Sequence, residues 1–188
     1  MNEFSELEYK YNAEDIKLKD FKSLMSGLNI FKTKDVSSWD HYFTNGINDE
    51  EFVRFRESDD PELTIKRKTK QNNNWERVEV DLPIDSQRPH LSSINKFLEL
   101  LGYQPKKSIY KNCFIYWLDY INFVYYIVYD ENMEELGKFI EVEFNKNKLP
   151  IHSDKVVDQL KYGQEVLTNL GLTSQNRLKK SLYEIYVK

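Results

Sequence analysis

Strand-length runs recur along this chain, some of them apolar and aromatic throughout and others with charged and apolar positions alternating with a period of two, and each predicts a strand. Such runs lie at 7–11, 39–44, 52–57, 63–69, 75–82, 110–117, 123–130 and 138–144. Asn45-Gly46 and Asn72-Asn73-Asn74 read as turns between them, and Pro83 stops the fifth run. Helical spacing appears between and around these runs. A first helix is expected from a cap at Asn12, with Glu14 and Asp15 in its first turn, to about Met25 before Gly27. A second follows Ser92 or Ser93, with Ile94, Phe97, Leu98 and Leu101 on one face and Gly102 at its end. A third follows Ser153, carries Val156, Leu160, Leu167 and Leu170, and stops at Gly171; a last helix is expected over 174–186. With no internal repeat and no linker-like stretch, residues 1–188 read as a single domain. The class is α+β: about eight strands in a closed or nearly closed antiparallel sheet, with helices packed on the outside.

Composition adjusts this picture only slightly. Aromatic residues make up 14% of the chain, with 13 Tyr and 11 Phe, which favours strands. The 40% hydrophobic and 31% charged residues are a globular balance, and 188 residues suffice for one core. A formal net charge of -4 argues against a general nucleic-acid binder. No stretch approaches the roughly 18 apolar residues of a membrane helix, so no membrane role is expected. The acidic start of the chain has no apolar signal run, and Cys113 is the only cysteine. A reducing, cytoplasmic setting is therefore expected.

The charges carry the chemical information. Glu6, Glu8 and Lys10 share one strand face. So do Arg54 and Arg56, opposite Val53 and Phe55; Lys66 and Lys68, opposite Leu63 and Ile65; Arg77 and Glu79, opposite Val78 and Val80; and Glu141 and Glu143, opposite Ile140, Val142 and Phe144. Taken singly, each is an ordinary solvated strand face. Taken together, they conflict with that reading, because amphipathic helices must cover the apolar faces. If the sheet closes, the charged faces point inward. A packed core cannot hold about a dozen charges, whereas a tunnel filled with water and ligand can. Carboxylates suit Mg²⁺ or Mn²⁺, and Lys and Arg suit phosphate oxygens. Both together suit a metal-bound polyphosphate.

These residues resemble the signatures of the CYTH superfamily, the triphosphate-tunnel metalloenzymes that include class IV adenylate cyclases, thiamine triphosphatases and inorganic triphosphatases. Glu6-Leu7-Glu8-Tyr9-Lys10 resembles its ExExK strand, Arg54-Phe55-Arg56 its RxR strand, Leu63-Thr64-Ile65-Lys66 its LTxK strand and Arg77-Val78-Glu79 its RxE strand. Lys111 resembles a basic residue of its second half. Asp130, followed by the run 136–143 (LGKFIEVE), resembles its ending. The resemblance implies an eight-stranded barrel with a central tunnel. It also implies that Glu6, Glu8, Asp130, Glu141 and Glu143 hold divalent metal, and that Arg54, Arg56, Lys66, Lys68, Arg77 and Lys111 clamp phosphates. Lys10 would contact phosphate or order the attacking group, and Glu79 is counted with it as catalytic. The implied partner is a small triphosphate, with a homodimer possible.

The family's Lys-x-Arg reads Lys111-Asn112-Cys113 here, so one cation is missing or is replaced by Lys106 or Lys107. The helix ending in Leu101-Gly102-Tyr103 resembles the cyclase branch. Three activities stay open: cyclisation of ATP, hydrolysis of a triphosphate, and binding without turnover. His41, His90 and His152 show no metal-ligand spacing, and no glycine-rich phosphate loop is present. Asp40 next to His41 suggests acid–base work, but strand neighbours point to opposite faces. Cys113 reads as a buried strand residue rather than a nucleophile.

Overall fold

The computed structural model describes residues 5–47, 51–68, 76–85, 90–144 and 155–188. The elements run β1 (Ser5–Asn12), α1 (Leu18–Ser26), β2 (Lys32–Thr44), β3 (Glu51–Glu57), β4 (Glu62–Lys68), β5 (Glu76–Pro83), α2 (Leu91–Leu100), β6 (Gln104–Trp117), β7 (Ile121–Tyr129), β8 (Glu135–Phe144), α3 (Lys155–Thr168) and β9 (Arg177–Leu178). The strands form one strongly curled, nine-stranded antiparallel sheet in the order β5-β4-β3-β2-β6-β7-β8-β1-β9. β1 pairs with β8 from Glu8↔Glu143 to Asn12↔Phe139. Its beginning pairs with β5, from Ser5↔Val78 to Leu7↔Glu76. The expected turn at Asn72-Asn73-Asn74 and the expected cap Ser153 lie outside the described residues.

Several expected boundaries move. β2 begins at Lys32, not at 39, and β6 at Gln104, not at 110. The early part of β2 is mostly polar and lacks an apolar alternation. It is a strand because β6 lies beside it, from Lys32↔Trp117 onward, so the partner decides and not the local pattern. Asn12 does not cap α1. It ends β1 and its Oδ1 accepts the Glu14 N–H at 3.0 Å, an Asx turn, and α1 starts at Leu18. α2 starts at Leu91 after His90, ahead of Ser92 and Ser93. Its end is as expected, with Gly102 at φ 86°, a left-handed conformation that favours glycine.

The largest correction concerns the last expected helix. Residues 174–186 do not form one. They make a single 3₁₀ turn (Ser174–Asn176), the two-residue strand β9 and a π-helical turn (Tyr183–Val187). The ninth strand of the sheet is this β9, which pairs with Lys10 and Tyr11 of β1.

The two faces of the curled sheet have different partners. On the convex side, α1 and α3 pack Phe21, Met25, Leu160 and Leu167 against Tyr11, Phe123, Tyr125 and Val142. α2 packs Leu98 against Phe43, Val53 and Phe55. On the concave side, the end of the chain packs Leu182, Tyr183 and Val187 against Tyr42, Phe52, Tyr126 and Val128. The C-terminal segment therefore enters the hollow of the sheet instead of covering its outside. Among the described residues, no helix is long and apolar enough to cross a membrane.

Candidate functional site

The hollow of the sheet holds a cavity of about 480 Å³. Strand alternation determines its lining, because every second residue of each strand points into it. Register then groups the charges into cross-strand rows. Asp40, Arg56 and Glu62 form one row across β2, β3 and β4. Tyr42, Arg54, Thr64 and Asp81 form the next, which reaches β5. Lys66 and Glu79 are partners beyond it. On the opposite side, Lys10 pairs with Glu141, and Glu8 pairs with Glu143.

The hydrogen bonds follow these rows. Arg56 donates to Asp40 through Nε (2.8 Å to Oδ1), and Lys111 Nζ lies 2.7 Å from Asp40 Oδ2. Arg54 and Arg56 both donate to Glu62 Oε1, at 2.8 and 2.9 Å. The Thr64 hydroxyl accepts from Arg54 at 2.9 Å and donates to Asp81 at 2.7 Å. Lys66 Nζ lies 3.0 Å from Glu79 Oε2. Across the cavity, Lys10 Nζ lies 3.3 Å from Glu8 and 3.0 Å from Glu141, and the Tyr126 hydroxyl donates to Glu141 at 2.7 Å.

These contacts determine the protonation states. Asp40 is wholly buried, which alone would raise its pKa; Arg56, then Lys111 and Arg54, override this and hold its carboxyl well below the usual range. Burial likewise opposes ionisation of Glu141, but Lys10 and the Tyr126 hydroxyl lower its pKa to about 2. Asp40 in turn holds Arg56 well above its ordinary value despite burial. Burial pushes the Cys113 thiol up, so Cys113 contributes a neutral patch of wall rather than a nucleophile.

Glu8, Glu141 and Glu143 each present a carboxylate oxygen, and these oxygens lie within 4.8 Å of one another. Three clustered hard-oxygen donors fit a divalent cation such as Mg²⁺ or Mn²⁺. The two clusters are centred on different strands, with Lys10 inside the triplet and Glu62, Glu79 and Asp81 among the cations. The carboxylate triplet occupies β1 and β8, and the guanidinium and ammonium groups of Arg54, Arg56 and Lys111 occupy β3 and β6.

The expected residues divide by position. Glu8, Lys10, Arg54, Arg56, Lys66, Glu79, Lys111, Glu141 and Glu143 all line the cavity. Lys68 instead donates to Glu184 of the C-terminal turn. Asp130 sits where β7 turns towards β8; its Oδ1 accepts the N–H groups of Asn132 and Glu134 at 2.8 and 2.9 Å. Glu6 and Arg77 are backbone partners where β1 meets β5, and their side chains lie outside the described residues. Cys113 lines the cavity where an Arg was expected; Lys107 donates to the Tyr186 carbonyl at 3.0 Å, and Lys106 is exposed.

Sequence reading missed Asp40, which is buried against the cavity cations Arg56 and Lys111, and the cavity residues Glu62, Asp81 and Tyr126. Their signal was available only as register. Asp40 stands opposite Arg56, and Glu62 stands opposite it on the other side.

No protein-family model and no curated protein sequence matches this chain. Solved structures do. A Pyrococcus horikoshii protein superposes with a TM-score of 0.72 at 21% identity, over 97% of this chain and 99% of that one. A candidate adenylate cyclase of Vibrio parahaemolyticus superposes with a TM-score of 0.68 at 14% identity, over 98% of each chain. The chain has the CYTH fold. A chain of the Schizosaccharomyces pombe Mediator head module also superposes, with a TM-score of 0.60 at 11% identity, over 89% of this chain and 94% of that one. At these identities the CYTH fold is shared, and the activity must be argued from the site.

Proposed function

We propose that this CYTH-fold chain is a metal-dependent enzyme acting on a triphosphate held in the hollow of the sheet. The reading is carried by one observation: the carboxylate triplet Glu8, Glu141 and Glu143 faces the cations Arg54, Arg56, Lys66 and Lys111 in one cavity. The pairing of β1 with β5 supports the view that the hollow is a closed tunnel. A divalent cation held by the triplet would neutralise phosphate charge as the leaving group departs. Arg54 and Arg56 would grip phosphate oxygens, and each is pre-positioned by Glu62. Lys10, held by Glu8 and Glu141, would contact the phosphate next to the metal. Glu79 would hold Lys66 ready, and Glu6 and Arg77 would serve from where β1 meets β5, whereas Lys68 and Asp130 are engaged by Glu184 and by the turn after β7. The substrate is a nucleoside or other organic triphosphate, and the reaction is either cyclisation of ATP to cyclic AMP and pyrophosphate or hydrolysis.

A second reading rests on Cys113. It stands on the cavity wall where the resemblance expects Arg, which removes one phosphate contact and favours a binding module without turnover. One product assay separates the readings. The protein is incubated with ATP, thiamine triphosphate or tripolyphosphate and Mg²⁺ or Mn²⁺. Cyclic AMP with pyrophosphate identifies a cyclase, and released phosphate a hydrolase. Tight binding with neither product would leave the binding module. Glu8→Gln should lower metal-dependent turnover about a hundredfold or more while the melting temperature holds. Undiminished turnover would remove Glu8 from the metal site.

A further inference from the structure

The carboxylates of the triplet do not complete the polar surface of their part of the cavity. Glu8 of β1 is the register partner of Glu143 of β8, and Glu143 is the register partner of Asn122 of β7. Three oxygen-bearing side chains therefore form one row across three adjacent strands. Register partners on one face of an antiparallel pair have Cβ atoms about 5 Å apart. Asn122 also lines the cavity. In the neighbouring row its place on β7 is taken by the apolar Val124, beside Glu141.

The Asn122 Oδ1 atom is buried and has no hydrogen-bond partner among the described residues. A buried acceptor left unsatisfied costs about 1–3 kcal/mol, so such groups are seldom orphaned without a reason. Among the described residues, the other such atom on a residue that lines the cavity is Arg54 Nε; Tyr11 and Asn95 do not line it. The chemistry around Asn122 is that of an acceptor beside acceptors. Ionised carboxylates carry no proton to donate, so neither Glu143 nor Glu8 can satisfy an amide oxygen. Lys10 bridges Glu8 and Glu141, and a cation or a water held between Asn122 and Glu143 would likewise relieve the juxtaposed acceptors of this row.

We infer that Asn122 supplies a neutral oxygen donor to the cation site of Glu8, Glu141 and Glu143. The inference rests on the proposed metal site and extends it by a ligand that carries no charge. Carbonyl oxygens of Asn are ordinary ligands of hard cations. A neutral donor adds coordination without adding to the repulsion among carboxylates already drawn within 4.8 Å of one another. It also brings β7, a central strand, into a site otherwise built from β1 and β8.

The test is Mn²⁺ binding alone, followed by calorimetry and by the electron paramagnetic resonance signal of free Mn²⁺, on the full chain. Asn122→Ala should weaken Mn²⁺ binding about tenfold. Asn122→Asp, which keeps the oxygen, should bind at least as tightly as the unaltered protein. Glu143→Gln serves as the reference for loss of a carboxylate ligand. Melting temperatures of all variants without metal show whether each is folded, and the Asp variant gives the answer if the Ala variant is not. If the unaltered protein binds Mn²⁺, Glu143→Gln weakens it and Asn122→Ala does not, the inference fails and the metal site stands. Weaker binding by a folded Asn122→Asp also overturns the inference. If the unaltered protein does not bind Mn²⁺, the inference fails together with the metal site it extends.

Discussion

Asp40 shows how much a single buried charge organises here. It is wholly buried and receives Arg56 and Lys111, two of the residues proposed to grip phosphate. Removing its charge would leave both cations facing each other. Asp40→Asn should therefore lower unfolding free energy by about 3 kcal/mol, as for other broken buried pairs, measured by urea titration. An unchanged midpoint would show that the two cations do not depend on Asp40. The same residue carries a pH signature together with Glu141. Both carboxyls are held below their ordinary values in the folded protein, so their stabilisation is present above the unfolded value of about 4 and is lost as pH falls below it. Urea midpoints should be flat down to about pH 5 and then fall. A midpoint that rises on acidification would contradict the assignment. The sequence marks Asp40 only as a neighbour of His41; its role as a buried partner of cations has no signal until Arg56 is known to stand opposite it.

At the scale of elements, the C-terminal segment differs most from expectation. Its apolar residues fall at near-helical spacing, and that spacing predicts an outer helix. The residues instead plug the concave side: Tyr183 stacks on Phe52 with ring centroids 4.5 Å apart, and the Tyr186 hydroxyl donates to the Leu136 carbonyl at 2.9 Å. Periodicity identifies an apolar face but not which side of a curled sheet receives it. Gly137 makes this docking possible. A Cβ there would lie 2.4 Å from the Tyr186 hydroxyl and 2.9 Å from Glu14 Oε1. Gly137→Ala should destabilise the protein by about 1–3 kcal/mol through overpacking, and limited proteolysis should then cut the C-terminal segment faster. Equal cleavage rates would show that the segment does not depend on this close approach. The strands themselves were largely legible, some from period-two alternation of charges and β7 from its apolar, aromatic run. The polar start of β2 was not, because only its pairing with β6 makes it a strand.

For the whole molecule, the legible feature was the phase of the charges. Nine of the thirteen residues expected to form the site line one cavity because alternation alone fixes their face. Lys68 and Asp130 take contacts elsewhere, with Glu184 and with the turn after β7. Motif spacing places a residue on a strand but does not reveal which charge reaches it first. Glu62 and Asp81 were invisible for the complementary reason: isolated acids acquire a role only beside Arg54, Arg56 and Thr64. The resulting cavity joins a carboxylate triplet, with Lys10 in its midst, to a set of cations that Glu62 and Glu79 pair in part. That arrangement distinguishes a site for metal-bound polyphosphate from a basic groove, which would bind anions without metal.

The central claim can be measured without knowing the reaction. Tripolyphosphate is titrated into the protein by calorimetry, with and without Mg²⁺ or Mn²⁺, and the titration is repeated with Glu8→Gln. The account predicts binding that metal strengthens about tenfold or more in the unaltered protein, with that gain lost in Glu8→Gln. Binding that is absent, or equally tight with and without metal, would contradict it.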